Sequence, residues 1–181
     1  MRDADPRSDV AETPFKRLFF ALSCSDAQRR AIAAWRSGLG LRSGRPVPAD
    51  NFHVTLMFLG SVDTAQVANL CTAASNVRVP GGALRLVLDR LDLWRKAGVL
   101  VLTAEQPPPE LLRLAYALEQ AMLPYTSLDR PKEYRPHLTL MRDYRGDVPE
   151  TVAPEFFLRA DRFVLFESHK GRYRELAAWP L

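Results

Sequence analysis

Asn51-Phe-His53-Val-Thr55-Leu-Met-Phe-Leu-Gly60 is the stretch on which the reading of this chain turns, because it occurs twice. Eighty-four positions later (137 − 53) stands Tyr134-Arg-Pro-His137-Leu-Thr139-Leu-Met-Arg142. Both copies read His, aliphatic, Thr, Leu, inside a short apolar run of β character. A strand sends residues i and i+2 to one face, so His53 and Thr55 are expected to point together, as are His137 and Thr139. Each copy then sets a group that titrates near neutral pH beside a hydroxyl able to hydrogen-bond an oxyanion. A single His-x-Thr on a strand is ordinarily a half-buried histidine next to a β-favouring threonine. Here the chain has three histidines, and two of them carry the same signature. A duplication with structural histidines would also produce the repeat, so its chemistry has to be argued from the site.

The 181 residues suit one large domain, or two small lobes sharing a core. An apolar content of 47% and a charged content of 25% are those of an ordinary globular chain. No apolar run approaches the roughly 20 residues of a membrane span, and the first residues lack a signal-peptide core, so a cytoplasmic protein is expected. Cys24 and Cys71 have no metal or redox spacing and read as reduced thiols. The net charge is +4, and 21 of the 25 cations are arginine, whose planar fork suits phosphate. GC-rich coding gives the same bias, and no run of five basic residues marks a nucleic-acid tail.

Residues 1–15 mix Asp, Arg, Pro and Ser without period and are expected to form a mobile tail, with the domain covering 16–181. Arg17–Leu22 reads as a strand. Ser25 with Gln28 is a capping box, followed by a helical face of Ala31, Ile32, Trp35 and Leu39. Gly38–Gly44 resembles a dinucleotide fingerprint, but its third glycine is one position late and the run ends a helix, so it is rejected. Asp63 is expected to open a second helix, with Val67, Leu70, Cys71 and Ala74 on one face. Strands follow at 83–94 and 99–103, joined by a turn at Lys96-Ala-Gly98. Pro107-Pro-Pro109 precedes a third helix with Leu111, Leu114, Ala115, Leu118 and Met122 inward. A loop over 123–132 leads to the second signature strand, and strands at 156–166 and 173–179 close the chain. Neither half looks able to bury its sheet alone, which favours two α+β lobes bringing both histidines to one cleft.

On these residues the chain resembles the two-histidine phosphoesterase superfamily, and within it the bacterial RNA 2′,3′-cyclic phosphodiesterases, also called RNA 2′-5′ ligases. The resemblance runs from Arg17 to Leu181. It is carried by Arg17–Leu22, Val47–Gly60, Arg135–Arg142, and Phe166-Glu-Ser168 with Gly171-Arg-Tyr173. It implies a bilobal α+β fold of pseudo-two-fold symmetry, two antiparallel sheets flanking a central cleft with helices outside. It implies hydrolysis of a 2′,3′-cyclic phosphate on RNA to a 2′-phosphate, with ATP-independent 2′-5′ joining in some relatives, and no metal or other cofactor. The matching positions make His53 and His137 the proton-transfer pair, Thr55 and Thr139 the phosphate ligands, Arg142 a further phosphate ligand, and Phe20 (or its neighbour Phe19) the aromatic near the base. On an ideal strand Arg142, five residues past His137, faces away from it, so it needs a bulge or the strand's end to reach the cleft.

Opening a cyclic phosphodiester takes a base for water, an acid for the leaving ribose oxygen and cover for the charge on phosphorus. Two imidazoles facing each other across the phosphate supply the first two; His137 is read as the base and His53 as the acid, an order that the symmetry of the two copies leaves open. The expected partner is RNA with a 2′,3′-cyclic phosphate end, tRNA fragments among the candidates, met by a monomer away from membranes. His169 lacks the signature and reads as a surface turn residue; Arg45, Arg135 and Arg172 are candidates for the substrate path. The alternatives are a non-catalytic RNA-end-binding protein and a cyclic phosphodiesterase for a small cyclic nucleotide. A three-histidine metal site is disfavoured because no acidic ligand stands at a recognised spacing.

Overall fold

The computed structural model describes residues 14–127, 129 and 133–181. The expected tail up to residue 13, and positions 128 and 130–132 of the expected loop, lie outside the described residues. In chain order the elements are β1 (Phe15–Ser23), α1 (Asp26–Ser37), β2 (Arg45–Pro46), β3 (His53–Asp63), α2 (Val67–Ser75), β4 (Leu84–Leu88), β5 (Arg90–Trp94), β6 (Val99–Thr103), α3 (Pro109–Ala121), β7 (His137–Arg142), β8 (Phe156–Ala160), β9 (Arg162–His169) and β10 (Arg172–Pro180).

Two antiparallel four-stranded sheets carry the fold, one in the order β10-β9-β1-β3 and the other β2-β7-β6-β5, and β4 pairs with β8 in a separate ribbon. The sheets repeat one unit. β1–α1–β3 in the first matches β6–α3–β7 in the second, with the helix connecting two antiparallel neighbours each time. The register repeats as well: Ser23 lies opposite His53 and Ala21 opposite Thr55, as Thr103 lies opposite His137 and Val101 opposite Thr139. That is the pseudo-two-fold relation, and it sets β3 and β7, each at or next to its sheet's edge, against one another.

Side chains from all three helices join one core: Ile32 of α1, Leu70 and Ala74 of α2, and Leu111, Leu114 and Leu118 of α3, packed with Leu18, Phe20, Val54, Leu102 and Leu138. The local signals hold at most helix starts. Ser25 Oγ accepts from Gln28 N while Gln28 Oε1 accepts from Ser25 N, and Pro109 occupies the first turn of α3, where its missing N–H costs nothing. Asp63 differs from expectation. It ends β3 and caps a 3₁₀ turn at Thr64–Gln66 by accepting from Ala65 N, and α2 begins at Val67.

Two expected strands are each two. The run from Ala83 to Trp94 breaks at Asp89, whose N–H donates to Thr103 O and whose carboxylate accepts from Glu105 N, so β4 goes to the ribbon and β5 to the main sheet. The run from Phe156 to Phe166 breaks at Asp161, whose carbonyl accepts from Leu181 N, and again one strand, β8, goes to the ribbon and the other, β9, to a main sheet. Among the described residues no helix is long and apolar enough to cross a membrane.

Candidate active site

Each signature strand is irregular at the same place. Along β3, Thr55 faces Ala21 and Met57 faces Phe20, leaving Leu56 as an extra residue. Along β7, Thr139 faces Val101 and Met141 faces Leu100, leaving Leu140 as the extra one. A bulge of this kind flips the alternation beyond it. Past the bulge, the fifth residue after each histidine returns to the histidine's face. In β3 this residue is Phe58, directly opposite Phe19; in β7 it is Arg142. The bulge resolves the parity problem of Arg142.

Two further features fix the end of β7. Asp143 turns the chain with φ of 50°, a left-handed conformation that Asp tolerates better than most residues, and its carboxylate is held by Arg45 at 2.6 and 2.7 Å. Gly44 (φ 77°) passes so close that a Cβ there would stand 2.7 Å from the Arg142 carbonyl. Only glycine fits, and this is what lets β2 pair with Arg142.

Thr55, His137 and Arg142 line one cavity of about 1110 Å³ between the sheets, together with Phe19, Phe58 and Trp94. His53 joins it through Thr55, whose Oγ1 lies 2.8 Å from His53 Nε2, and through ring contacts with Phe19 (5.0 Å) and Tyr173 (5.3 Å). Thr139 is half-buried on the His137 face of β7 but is not part of the cavity wall. Arg142 is exposed and makes no ion pair among the described residues, an uncompensated cation at the wall.

Both imidazoles are held in one tautomer by one device. His53 Nδ1–H donates to the carbonyl of Asn51 at 2.7 Å, and His137 Nδ1–H donates to that of Arg135 at 2.9 Å, two residues upstream in each case. With Nδ1 carrying the proton, each neutral ring presents Nε2 as an acceptor, which at His53 faces the Thr55 hydroxyl. Burial pushes His53 down to about 4; its bond to Asn51 opposes this, and the charges of His137, Arg142 and Arg29 add to the fall. His137 is also lowered, by burial first and then by Arg135 and Arg142, against its bond to the Arg135 carbonyl.

Two depressed imidazoles set the pH dependence. kcat/KM reports the free protein, and the reaction wants one ring neutral and the other charged. The rate therefore rises as the lower-titrating ring loses its proton and falls as the higher one does. With His53 near 4 and His137 below its usual value, the kcat/KM optimum is expected on the acid side of pH 6.5. A bound anionic phosphodiester favours both charged rings, so the kcat profile should peak at higher pH. These limbs belong to the coupled pair. A kcat/KM that still climbs from pH 6.5 to 9 would contradict this.

The resemblance sets Phe20 near the base, and the structure corrects this. Phe20 is fully buried and packs on Phe163 and Trp179 in the core. Phe19 faces the cleft, but it is 3% exposed, covered by His53, Phe58, Phe166 and Tyr173. Several contributors escaped the sequence reading. Trp94 packs against His137 with ring centroids 4.3 Å apart and planes tilted at 56°, its indole N–H directed at Asp92 and the Arg135 guanidinium 4.4 Å over its ring. No local signal marks it. Phe58 had one, since it stands at the same offset from His53 as Arg142 from His137. Arg135 lines the cavity, whereas Arg45 is engaged by Asp143. His169 is exposed at the end of β9.

Tyr134 ties the two signature strands together, its hydroxyl donating to the Thr55 carbonyl at 2.7 Å. Removing that hydroxyl leaves the carbonyl without this donor. Tyr134→Phe should lose about 1–3 kcal/mol in denaturant unfolding, with kcat reduced more than KM is raised, because the two histidines lose their fixed spacing. Unchanged stability and kcat would show that the bond does not set that spacing.

A family model described as LigT like Phosphoesterase matches residues 22–101. The chain is similar to the RNA 2′,3′-cyclic phosphodiesterase of Escherichia coli (strain K12), being 34% identical over 174 residues that take in 92% of this chain and 97% of that protein. The protein of the same name from Bacillus subtilis (strain 168) is 28% identical over 142 residues, 72% of this chain and 77% of its own. Among solved structures, E. coli LigT complexed with 3′-AMP gives a TM-score of 0.81 at 34% identity, covering 92% of this chain and 98% of that one. Its apo form gives 0.80 over 93% and 98%.

Proposed function

This chain belongs to the LigT-like phosphoesterase family, and from that premise we propose that it is an RNA 2′,3′-cyclic phosphodiesterase that opens the terminal cyclic phosphate to a 2′-phosphate. The observation that supports this best is the pair of tautomer-locked histidines flanking a wall that carries Arg142, which has no ion pair among the described residues. One neutral imidazole takes a proton from water through Nε2 as the water oxygen bonds to phosphorus. The other, charged, gives its Nε2 proton to the ribose 3′ oxygen as the P–O3′ bond breaks. The first ring ends charged and the second neutral, and exchange with solvent restores them. Arg142 and Thr55, with Thr139 along the strand, cover the equatorial oxygens. If a 5′-hydroxyl takes the place of water, the product is a 2′-5′ linkage, driven by release of ring strain without ATP.

The reaction as drawn takes its acid and base from imidazole, so activity is expected to survive chelator. Among the described residues no three His, Cys, Asp or Glu side chains gather into a group that could hold a metal. The cavity, at about 1110 Å³, exceeds the roughly 300–1,000 Å³ of ordinary small-molecule sites. Its wall sets Arg17, Arg135 and Arg142 against Glu119, Asp129 and Glu133, so it is the cavity's size, with Arg142 on the His137 strand, that favours an RNA end, tRNA fragments included, over a free cyclic nucleotide. We read the protein as a cytoplasmic monomer.

The test compares an RNA ending in 2′,3′-cyclic phosphate with a 2′,3′-cyclic mononucleotide, in chelator, at several salt concentrations. RNA should have the higher kcat/KM, falling as salt rises. Equal, salt-independent turnover of both would favour the small-nucleotide enzyme. Tight RNA binding without product would favour the end-binding protein.

A further inference from the structure

The central cavity is not a basic groove. With its three arginines matched by three carboxylates, it has charge for one phosphate beside Arg142 and little surplus for a chain of them. A second concavity, of about 340 Å³, lies just past the end of β7, between the loop 39–43 ahead of β2 and the loop 144–149 behind β7. Arg42 and Arg145 line it. Both are exposed, neither has an ion pair among the described residues, and no carboxylate shares the wall. The aspartates of the second loop are already engaged, Asp143 by Arg45 and Asp147 by Arg95 at 2.9 Å, and Glu150 lies one residue beyond the wall.

The two loops are tied to each other and to the sheet. Arg145 N–H donates to Ser43 Oγ at 3.2 Å, Tyr144 N–H to the Gly98 carbonyl at 2.9 Å, and the Tyr144 hydroxyl to the Asp147 carbonyl at 2.8 Å. Gly146 passes so close to Tyr144 that a Cβ there would stand 2.6 Å from the hydroxyl oxygen. Accepting from Arg145 leaves the Ser43 hydroxyl its own proton to donate. Two guanidinium groups and a hydroxyl beside the apolar Leu39, Leu41 and Pro149 suit phosphates carried on sugars. The position says which phosphates. Arg45 of β2 lies opposite Arg142 of β7, so both loops leave the sheet at the end where Arg142 stands. Arg145 follows Arg142 by three residues, at most about 11 Å along the chain.

We propose that this pocket holds the phosphate backbone of the RNA body, upstream of the cyclic end that Arg142 receives, and so makes the protein prefer oligonucleotides to single nucleotides. The inference rests on the cyclic-phosphodiesterase reading and gives the rest of the strand a place. Phosphate contacts fix position without reading sequence, so the preference should follow length and salt, not base identity.

The test compares kcat/KM on adenosine 2′,3′-cyclic monophosphate and on an RNA octanucleotide with the same cyclic end. The proteins are wild type, Arg42→Ala with Arg145→Ala, and Arg42→Lys with Arg145→Lys. Wild type should favour the octanucleotide. The alanine variant should lose about five- to tenfold on it, through KM, the worth of two exposed guanidinium–phosphate pairs. Its turnover of the mononucleotide should stay at the wild-type level. The log–log salt dependence on the octanucleotide should become shallower by about 0.7 per arginine removed, and the lysine variant should keep the wild-type slope. An alanine variant with wild-type kcat/KM and salt slope on the octanucleotide overturns the proposal. So does one that loses as much on the mononucleotide, since the loops would then act only by placing Arg142. Equilibrium binding of a 5′-labelled octanucleotide ending in 2′-phosphate makes the same comparison without turnover. A wild type that opens no cyclic phosphate, yet binds this probe more tightly than the alanine variant does, removes the function and leaves the pocket. Equal binding by the two removes the pocket whatever the turnover.

Discussion

Replacing His53 or His137 with alanine is expected to lower kcat on a cyclic-phosphate RNA by about 10²–10⁴-fold, the usual worth of one positioned acid or base. The double variant should be scarcely slower than the slower single one. Neither proton transfer helps without the other: a deprotonated water facing an unprotonated ribose alkoxide gains little, and residues that act as a unit lose their effect together. Both variants should remain folded, since each ring lies on a cleft-facing strand surface and its removal frees only the Arg135 carbonyl at His137, or the Asn51 carbonyl and the Thr55 hydroxyl at His53. A folded single variant that keeps more than about a third of the wild-type rate would show that its copy of the motif is structural.

Arg142→Ala is the other large effect, at about 10²–10³-fold in kcat, comparable with loss of one preorganised donor to a developing charge. The reason is its situation. Arg142 is an exposed guanidinium with no ion pair among the described residues, held at the strand's end by the Asp143 turn and the close pass of Gly44. It is placed for an anion and loses little by binding one. Arg142→Lys should recover only part of the rate, because an ammonium supplies the charge without the two-pronged geometry. Full recovery by lysine would show that charge alone matters there. Gly44→Ala should reproduce a milder form of the same defect, through the 2.7 Å clash with the Arg142 carbonyl.

The two histidines, Thr55 and the order of strands and helices were legible because each depends on local pattern: a repeated four-residue word, a capping box at Ser25, a Pro at the start of α3. Phe19 and Phe20 were not separable for a physical reason. β1 is an interior strand covered on both faces, so Leu18 to Leu22 are all buried and the alternation that would assign parity is missing. Arg142 presented the complementary difficulty, because a bulge is a property of two strands and becomes visible only when β6 is laid beside β7. Asp89 and Asp161 break apolar runs that read as continuous. In each run the break is the point where the chain leaves one sheet for another, a choice made by partners distant in sequence. Trp94 is beyond local reading altogether, since it meets His137 across the intervening strand β6.

The central claim is that two imidazoles open a 2′,3′-cyclic phosphate by delivering water to phosphorus and a proton to the 3′ oxygen. Its most direct measurement is phosphorus NMR of a cyclic-phosphate RNA turned over in ¹⁸O-labelled water with excess chelator. The account predicts a single product, a 2′-phosphomonoester carrying one labelled oxygen, formed at the rate seen without chelator. A 3′-phosphomonoester, an unlabelled phosphate, or a rate abolished by chelator and restored by a divalent metal would contradict it.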